Sequence, residues 1–310
     1  MHRYKLLWIG LIFFLVVNVV AYNHAYQFTH FTGAVGSKIP NAYELSGPEK
    51  IKALFWGVAT PRPTNKKLPP GPYKLVKLKS NKLIAGWLMQ VPAPKGTVIL
   101  FHGYGGEKSG LLANALTLQK LGYSTFLVDF MGSGESAGNQ TTIGFHEAAQ
   151  VETCFTYIQQ HLGGKIYLFG TSMGAVAILK ALQDYPLQPS GIILECPFSS
   201  LYETTCARFR LLHIPSFPFA GLLLFWGSVQ NNFWAFSHNP TTYAQAVTCP
   251  VLLLYGEQDP KVSRPEINQI YANLNGPKQL KTYPCAGHEN YLVKYPQKWT
   301  SDVVAFLSQY

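Results

Sequence analysis

The sequence predicts an α/β protein with a mostly parallel, eight-stranded sheet, helices on both faces, and an N-terminal transmembrane helix. From residue 73 onward, short runs rich in β-branched and aromatic residues alternate with longer helical stretches. This alternation is typical of parallel strands joined by crossover helices. Hydrophobic residues make up 47% of the chain and charged residues 13%, which excludes a disordered protein.

Eight strands are predicted within residues 73–310. In chain order they are YKLVKLK, KLIAGWLMQV, GTVILFHG, STFLVDF, KIYLFG, GIILECP, PVLLLYG and QLKTYP. Only a short Ser80-Asn81 connection separates the first two, which predicts a hairpin. Helical periodicity predicts helices near residues 108–121, 145–161, 173–184, 264–274 and 296–309.

Residues 1–22 are predicted to anchor the chain in a membrane. Arg3 and Lys5 precede LLWIGLIFFLVVNVVAY, an apolar run of 17 residues interrupted only by Asn18. Because the next lysine is Lys38, the N-terminus is expected to stay cytoplasmic and the rest of the chain to lie on the periplasmic or extracellular side. The alternative is a cleaved signal segment, with Val19–Ala21 at the cleavage site and a secreted product.

Two further segments differ from the alternating pattern. Residues 23–72 are predicted to form an arm and a proline-rich linker, because the prolines in TPRPTNKKLPPGP disfavour helix and sheet. Residues 199–240 form an aromatic insertion after the sixth strand, and an insertion this apolar must pack against something. We expect it to form a cap over the functional site, with four candidate substrate-binding residues: Phe225, Trp226, Phe233 and Trp234.

Charge and cysteine patterns exclude several functions. The formal net charge is +10, but the basic residues are scattered and form no stripe with interleaved aromatics, so nucleic-acid binding is not expected. The five cysteines have no Cys-x-x-Cys spacing and predict neither a zinc site nor a disulfide framework, although one bridge stays possible. The histidines outside the motifs below show no ligand spacing, so no metal or other cofactor is predicted.

Four predicted strands are followed by groups that could carry chemistry. HGYGG (residues 102–106) follows the third strand, and Ser172 in GTSMG follows the fifth. Asp259 in GEQD follows the seventh strand, and His288 in CAGHEN follows the eighth. Because parallel strands end at one edge of a sheet, these groups are expected to meet there.

Ser172, His288 and Asp259 are the three groups that acyl transfer requires. The serine hydroxyl attacks, the imidazole takes and returns its proton, and the carboxylate orients the imidazole. The backbone N–H groups of Met173 and Tyr104 are the predicted oxyanion donors.

Three other residues compete with these assignments. Glu257 and Glu195 are rival carboxylates near the same edge of the sheet. His102 could be taken for a base, but it is predicted to support the oxyanion turn.

The motifs HGYGG, DFMGSGES, GTSMG, CPVLLLYGEQD and AGHEN together resemble the α/β-hydrolase superfamily over residues 73–310. Within that superfamily, the combination of an N-terminal anchor and an exported serine hydrolase in this sequence resembles the membrane-anchored Bem46-like and S9/S33 serine-peptidase-like branches. The family pattern implies Asp259 as the acid, because it lies three residues after the strand-ending Gly256.

The leading functional prediction is a serine hydrolase that cleaves a carboxylic ester or similar acyl bond of a small molecule. Apolar esters are favoured because the insertion is aromatic and nearly uncharged, whereas Arg208 and Arg210 are only a pair, which argues against a small charged acid. One alternative is an aminopeptidase or oligopeptidase in which Glu195 holds the amino terminus of a peptide. Another is a non-catalytic binding scaffold.

Overall fold

The computed structural model describes residues 2–33 and 46–310, with side chains from Tyr4 onward. Lys38 and part of the predicted arm lie outside the described residues. The helices are α1 (His2–Thr29), α2 (Gly47–Trp56), α3 (Leu112–Lys120), α4 (Glu147–His161), α5 (Met173–Asp184), α6 (Leu201–Leu211), α7 (Phe219–Asn231), α8 (Pro240–Tyr243), α9 (Arg264–Asn273), α10 (Tyr291–Lys294) and α11 (Pro296–Gln309).

A mixed eight-stranded sheet forms the centre of the protein, with the order β10-β9-β8-β7-β5-β6-β4-β3. A separate parallel pair joins β1 (Phe31–Thr32) to β2 (Thr60–Pro61). The sheet strands are β3 (Lys74–Lys79), β4 (Leu83–Met89), β5 (Thr97–Phe101), β6 (Ser124–Asp129), β7 (Ile166–Thr171), β8 (Gly191–Glu195), β9 (Val251–Gly256) and β10 (Lys278–Tyr283). β4 is antiparallel to both neighbours and the other pairings are parallel, which confirms the eight predicted strands and the hairpin.

Both faces of the sheet are covered by helices. Val98 and Leu100 of β5 pack in one apolar cluster with residues of α3 and α11. The alternate residues Ile99 and Phe101 pack in a second cluster with residues of α4, α5 and α9. Strands covered on both faces are expected to be mostly apolar, and the middle residues of β5, β6, β7 and β9 are apolar and buried.

Helix α1 is longer than the predicted anchor. It continues to Thr29, and Tyr4–Thr29 is long and apolar enough to cross a membrane. Its first part is exposed, whereas Ala21 and Ala25 are buried. Near its end it packs on α7, where the Nε1–H of Trp226 donates to Asn18 Oδ1 at 3.2 Å. The boundary predicted at residue 22 therefore falls inside a continuous helix that contacts the domain.

The aromatic insertion forms α6, α7, a 3-10 turn at Ala235–Ser237 and α8. Sequence periodicity did not indicate these helices because α7 is apolar on most sides, as its stretch GLLLFW shows. α7 packs against both α1 and α6, so the insertion and the N-terminal helix form one layer.

Candidate active site

Ser172 lies in a sharp turn between β7 and α5. Its φ of +51° and ψ of −112° are unusual for a residue with a side chain. A Cβ on Gly170 would lie 2.5 Å from the backbone of α5, and one on Gly174 would lie 2.3 Å from the carbonyl oxygen of Phe101. The turn therefore requires glycine at both positions, and its N–H at Ser172 donates to the carbonyl of Glu195 at 2.7 Å.

The structure brings the three residues predicted to act together into one hydrogen-bonded chain. His288 Nε2 lies 3.0 Å from Ser172 Oγ, and His288 Nδ1 lies 2.7 Å from Asp259 Oδ2. The other oxygen of Asp259 accepts the backbone N–H groups of Lys261 and Val262 at 2.8 and 3.0 Å. This geometry lets Nδ1–H donate to the carboxylate and leaves Nε2 free to accept the serine proton.

Neither of the rival carboxylates, Glu257 and Glu195, occupies the position of Asp259 beside His288. Glu257 is exposed. Glu195 is fully buried beneath the turn, where it accepts the Nε1–H of Trp299 at 2.6 Å and the hydroxyl of Thr171 at 3.1 Å. Burial raises the pKa of Glu195 to about 7.

Cys196 lies next to the hydrogen-bonded chain of Ser172, His288 and Asp259, and the sequence analysis did not identify it. It follows β8 directly, is buried, and has a φ of +42°. Its Sγ lies within 4.8 Å of ligand-type atoms of Asp259 and His288. Burial alone would lower the pKa of His288, but Cys196 and the hydrogen bond with Asp259 raise it above its usual value. The sequence signal that could have identified Cys196 is its position directly after a parallel strand.

His102 holds the turn that follows β5. Its Nδ1–H donates to the carbonyl of Gly103 at 2.8 Å, and its Nε2 accepts the N–H of Phe130 at 3.0 Å. Burial lowers its pKa, which favours the neutral ring that these bonds require. These contacts involve backbone groups rather than the serine.

The two predicted oxyanion donors lie beside Ser172. Met173 is the first residue of α5, so its N–H has no acceptor within the helix. Tyr104 and Met173 both line the cavity that contains Ser172 and His288. Both residues therefore adjoin the cavity into which the Ser172 hydroxyl opens.

Two cavities adjoin at the site. The one with Ser172 has a volume of about 220 Å³. The second is about 450 Å³, within the range of small-molecule sites, and mostly apolar. Tyr104, Ile143 and Arg208 line both cavities. The walls of the larger cavity come from α1, α6 and α7, so the N-terminal helix contributes directly to it.

The aromatic residues predicted to bind substrate are divided by the structure. Phe233 lines the larger cavity. Trp226 instead packs on α1, with its ring centroid 5.4 Å from that of Tyr22. Phe225 and Trp234 are 41% and 56% exposed and do not line either cavity. Of the four candidates, Phe233 is therefore the one that lies in the lining of the described cavities.

Comparison with known proteins agrees with this fold. A family model described as serine aminopeptidase, S33, matches residues 92–242. The solved structure of the Pyrococcus furiosus esterase Pf2001 superposes with a TM-score of 0.67 at 21% identity, covering 81% of this chain and 97% of the esterase. A bacterial membrane phospholipase A superposes at 0.56 and 17% identity, covering 77% and 86%. The chain therefore has the α/β-hydrolase fold, and the family model and the solved structures that it resembles are those of hydrolases.

Among curated proteins, two relatives illustrate its nearer similarities. The uncharacterized protein YqkD of Bacillus subtilis is 25% identical over 215 residues, or 68% of this chain and 70% of YqkD. The lysophosphatidylserine lipase ABHD12 of Danio rerio is 28% identical over 171 residues, or 52% of this chain and 43% of the lipase.

Proposed function

We propose that the protein is a membrane-anchored serine hydrolase that cleaves the ester of a long acyl chain through an acyl-enzyme. The observation that carries the proposal is the hydrogen-bonded chain Ser172–His288–Asp259 next to a mostly apolar cavity of about 450 Å³. An acyl chain in that cavity would place its carbonyl near Ser172, because the two cavities share part of their walls.

The proposed reaction has two steps. Ser172 Oγ attacks the ester carbonyl while His288 Nε2 takes its proton, and the N–H groups of Tyr104 and Met173 stabilise the oxyanion. His288 then returns the proton to the leaving alcohol, which departs and leaves an acyl-Ser172 ester. In the second step His288 deprotonates a water molecule that attacks this ester, releasing the carboxylic acid and restoring the serine.

The apolar surface around the larger cavity supports placement at a membrane. About 20 residues suffice to cross the hydrocarbon core, so the last turns of the 28-residue α1 extend beyond it and reach the cap. Leu212 and Ile214 line the cavity and are 65% and 42% exposed. Exposed apolar residues of α2 add to this surface: Ile51, Leu54 and Trp56. A bilayer in contact with it would give an acyl chain a path that avoids water.

The serine aminopeptidase description favours a second candidate, cleavage of peptides. An aminopeptidase needs an anion for the amino terminus of its substrate. Glu195 is buried against Trp299 and lines neither cavity. Glu289 lines the smaller cavity, but Lys294 already pairs with it at 2.7 Å. The charges therefore favour the ester over the peptide.

The test compares the detergent-solubilised wild type with Ser172→Ala and, as a control, Ser301→Ala on the exposed surface of α11. We expect wild type and Ser301→Ala to react with a fluorophosphonate and to hydrolyse long-chain esters faster than aminoacyl amides. Ser172→Ala should lose the labelling and at least about 10³-fold in kcat/KM. Full activity in a folded Ser172→Ala protein would contradict the mechanism, faster amide hydrolysis would favour the peptidase, and no labelling of the wild type would favour a binding scaffold.

A further inference from the structure

Arg208 lies at the junction of the two cavities and has no carboxylate partner among residues 2–33 and 46–310. It lies on α6, one helical turn after Thr204, and it lines both cavities. Its Nη1 donates to the carbonyl oxygen of Thr204 at 3.0 Å and to the hydroxyl oxygen of Thr204 at 3.1 Å. Its Cζ lies 5.0 Å from the ring centre of Phe28 in α1.

These contacts leave much of the guanidinium unused. An arginine has five N–H donors, and two of them bond to Thr204. Within residues 2–33 and 46–310, Nε and Nη2 donate to no side chain or backbone group, and no carboxylate lies within 4.0 Å. A partly buried guanidinium normally has an anionic partner, because burial of an unpaired charge is costly. Burial accordingly lowers the pKa of Arg208, although the group stays charged.

The other charges at the smaller cavity also favour an anion. Lys261 is an exposed second cation in its wall. The one carboxylate among the described lining residues, Glu289, is already paired with Lys294. An anionic group entering this space would meet Arg208 and Lys261, and no unpaired carboxylate among the described lining residues.

We propose that Arg208 binds an anionic group, a phosphate or a carboxylate, on the alcohol side of the ester that is cleaved. The inference rests on the proposed function, and it names the substrate class as a single-chain anionic lipid ester. The acyl chain occupies the larger cavity, the ester carbonyl lies at Ser172, and the anion accepts hydrogen bonds from Nε–H and Nη2–H of Arg208. A planar guanidinium suits this task because it can bind two oxygens of one anion at once. The expectation from the Arg208–Arg210 pair, that charged substrates are disfavoured, is replaced by this proposal.

The catalytic test measures kcat/KM of the full chain for substrates with one acyl chain length. A lysophosphatidylglycerol carries a phosphate, a monoacylglycerol hemisuccinate carries a carboxylate, and a monoacylglycerol is neutral. In Arg208→Gln, the ratio of anionic to neutral kcat/KM should fall about 10- to 100-fold, mainly through KM, because hydrogen bonds to a charged group are lost. Arg208→Lys should retain part of the ratio. The phosphate and carboxylate substrates show which anion the site prefers.

Arg210→Gln is the matched control. Arg210 lies two residues further along α6 and is exposed, and its Nη1 lies 4.0 Å from a carboxylate oxygen of Glu203, its one ion pair among the described residues. Its replacement should leave the ratio within about twofold of wild type, since exposed ion pairs contribute little. An unchanged ratio in folded Arg208→Gln, or an equal loss in Arg210→Gln, would overturn the proposal.

A binding test separates this inference from the proposed function. Isothermal titration calorimetry compares Ser172→Ala with the double variant Ser172→Ala/Arg208→Gln in lipid nanodiscs, with dodecyl phosphate and a neutral dodecyl glycoside as ligands. Only the phosphate should lose at least about 10-fold in affinity on removal of Arg208. Equal affinity would refute an anion site even in an active esterase, whereas selective loss would support it even if no ester is cleaved. If Arg208→Gln does not fold, Arg208→Lys is compared in its place, and unchanged phosphate selectivity together with full anionic kcat/KM would count against a bidentate site.

Discussion

Replacement of Glu195 by glutamine should change the pH dependence of stability by a calculable amount. The carboxyl is fully buried and its pKa is raised to about 7, against 4.5 for an ordinary glutamate, and burial is the largest cause. The difference corresponds to about 3 kcal/mol at 1.36 kcal/mol per pKa unit. The folded protein therefore holds a proton on Glu195 under conditions in which the unfolded chain has already released it.

The sign follows from this order of proton release. Between pH 4.5 and about 7, the folded state binds more protons at this site than the unfolded state, so the free energy of unfolding falls as pH rises. Glutamine has nearly the same shape, can accept the Trp299 N–H, and does not titrate. Relative to wild type, Glu195→Gln should therefore gain about 3 kcal/mol of stability between pH 4 and pH 8.

The assay is guanidinium unfolding at both pH values, followed by tryptophan fluorescence of the solubilised full chain. Glu257→Gln removes an exposed carboxylate near the same sheet edge and should show no comparable gain. If the stability difference between Glu195→Gln and wild type changes by less than about 0.5 kcal/mol across this range, Glu195 ionises in the fold without the expected penalty.

Three other predictions concern the site. Because His288 must be neutral to accept a proton and its pKa is raised, kcat/KM should increase with pH, with a midpoint above 6.5. Cys196→Ala should move this rise of the pH profile to lower pH. If the rise does not move, the thiol is excluded as a cause of the raised pKa. Phe233→Ala enlarges the apolar cavity and should change the relative kcat/KM among esters of different chain length about 10-fold. The control Trp234→Ala, at an exposed position, should not change it. Identical chain-length profiles in the two variants would show that Phe233 does not belong to the acyl pocket. Deletion of residues 1–22 should release the protein from membranes and reduce long-chain more than short-chain ester hydrolysis, because it removes the contacts of Asn18 and Tyr22 with Trp226 of α7. Equal retention of both activities would show that the cavity does not need this part of the helix.

The sequence predicted those features of the fold and the site that depend on local sequence patterns. The central strands are buried on both faces, so their composition alone marked them. The positions of Ser172, Asp259 and His288 followed because parallel strands end at one edge, and the distances among them agree with that reasoning. The choice of Asp259 over Glu257 depended on the family pattern rather than on composition.

Local sequence patterns did not predict contacts between segments that are far apart in the sequence. Cys196 and His288 are far apart in sequence, and no periodicity relates them. Trp226 was assigned to the pocket because it is aromatic, but its partner is Asn18, more than 200 positions earlier. The cap helix α7 was missed for a related reason, because a helix that is apolar on most sides lacks the one-sided pattern of an ordinary surface helix.

The contacts between α1 and the cap would connect the proposed membrane attachment with the proposed choice of substrate. Phe28, near the end of α1, stacks on Tyr104 at 4.6 Å between ring centres, and the Tyr104 hydroxyl donates to the carbonyl of Phe28 at 2.8 Å. The same phenylalanine lies against the guanidinium of Arg208. A shift of α1 relative to the cap would therefore alter the loop that offers a proposed oxyanion donor, the wall of the acyl cavity and the proposed anion site together. If α1 anchors the protein as proposed, this coupling would favour substrates that reach the protein from the bilayer, because the position of α1 in the membrane would then bear on all three groups.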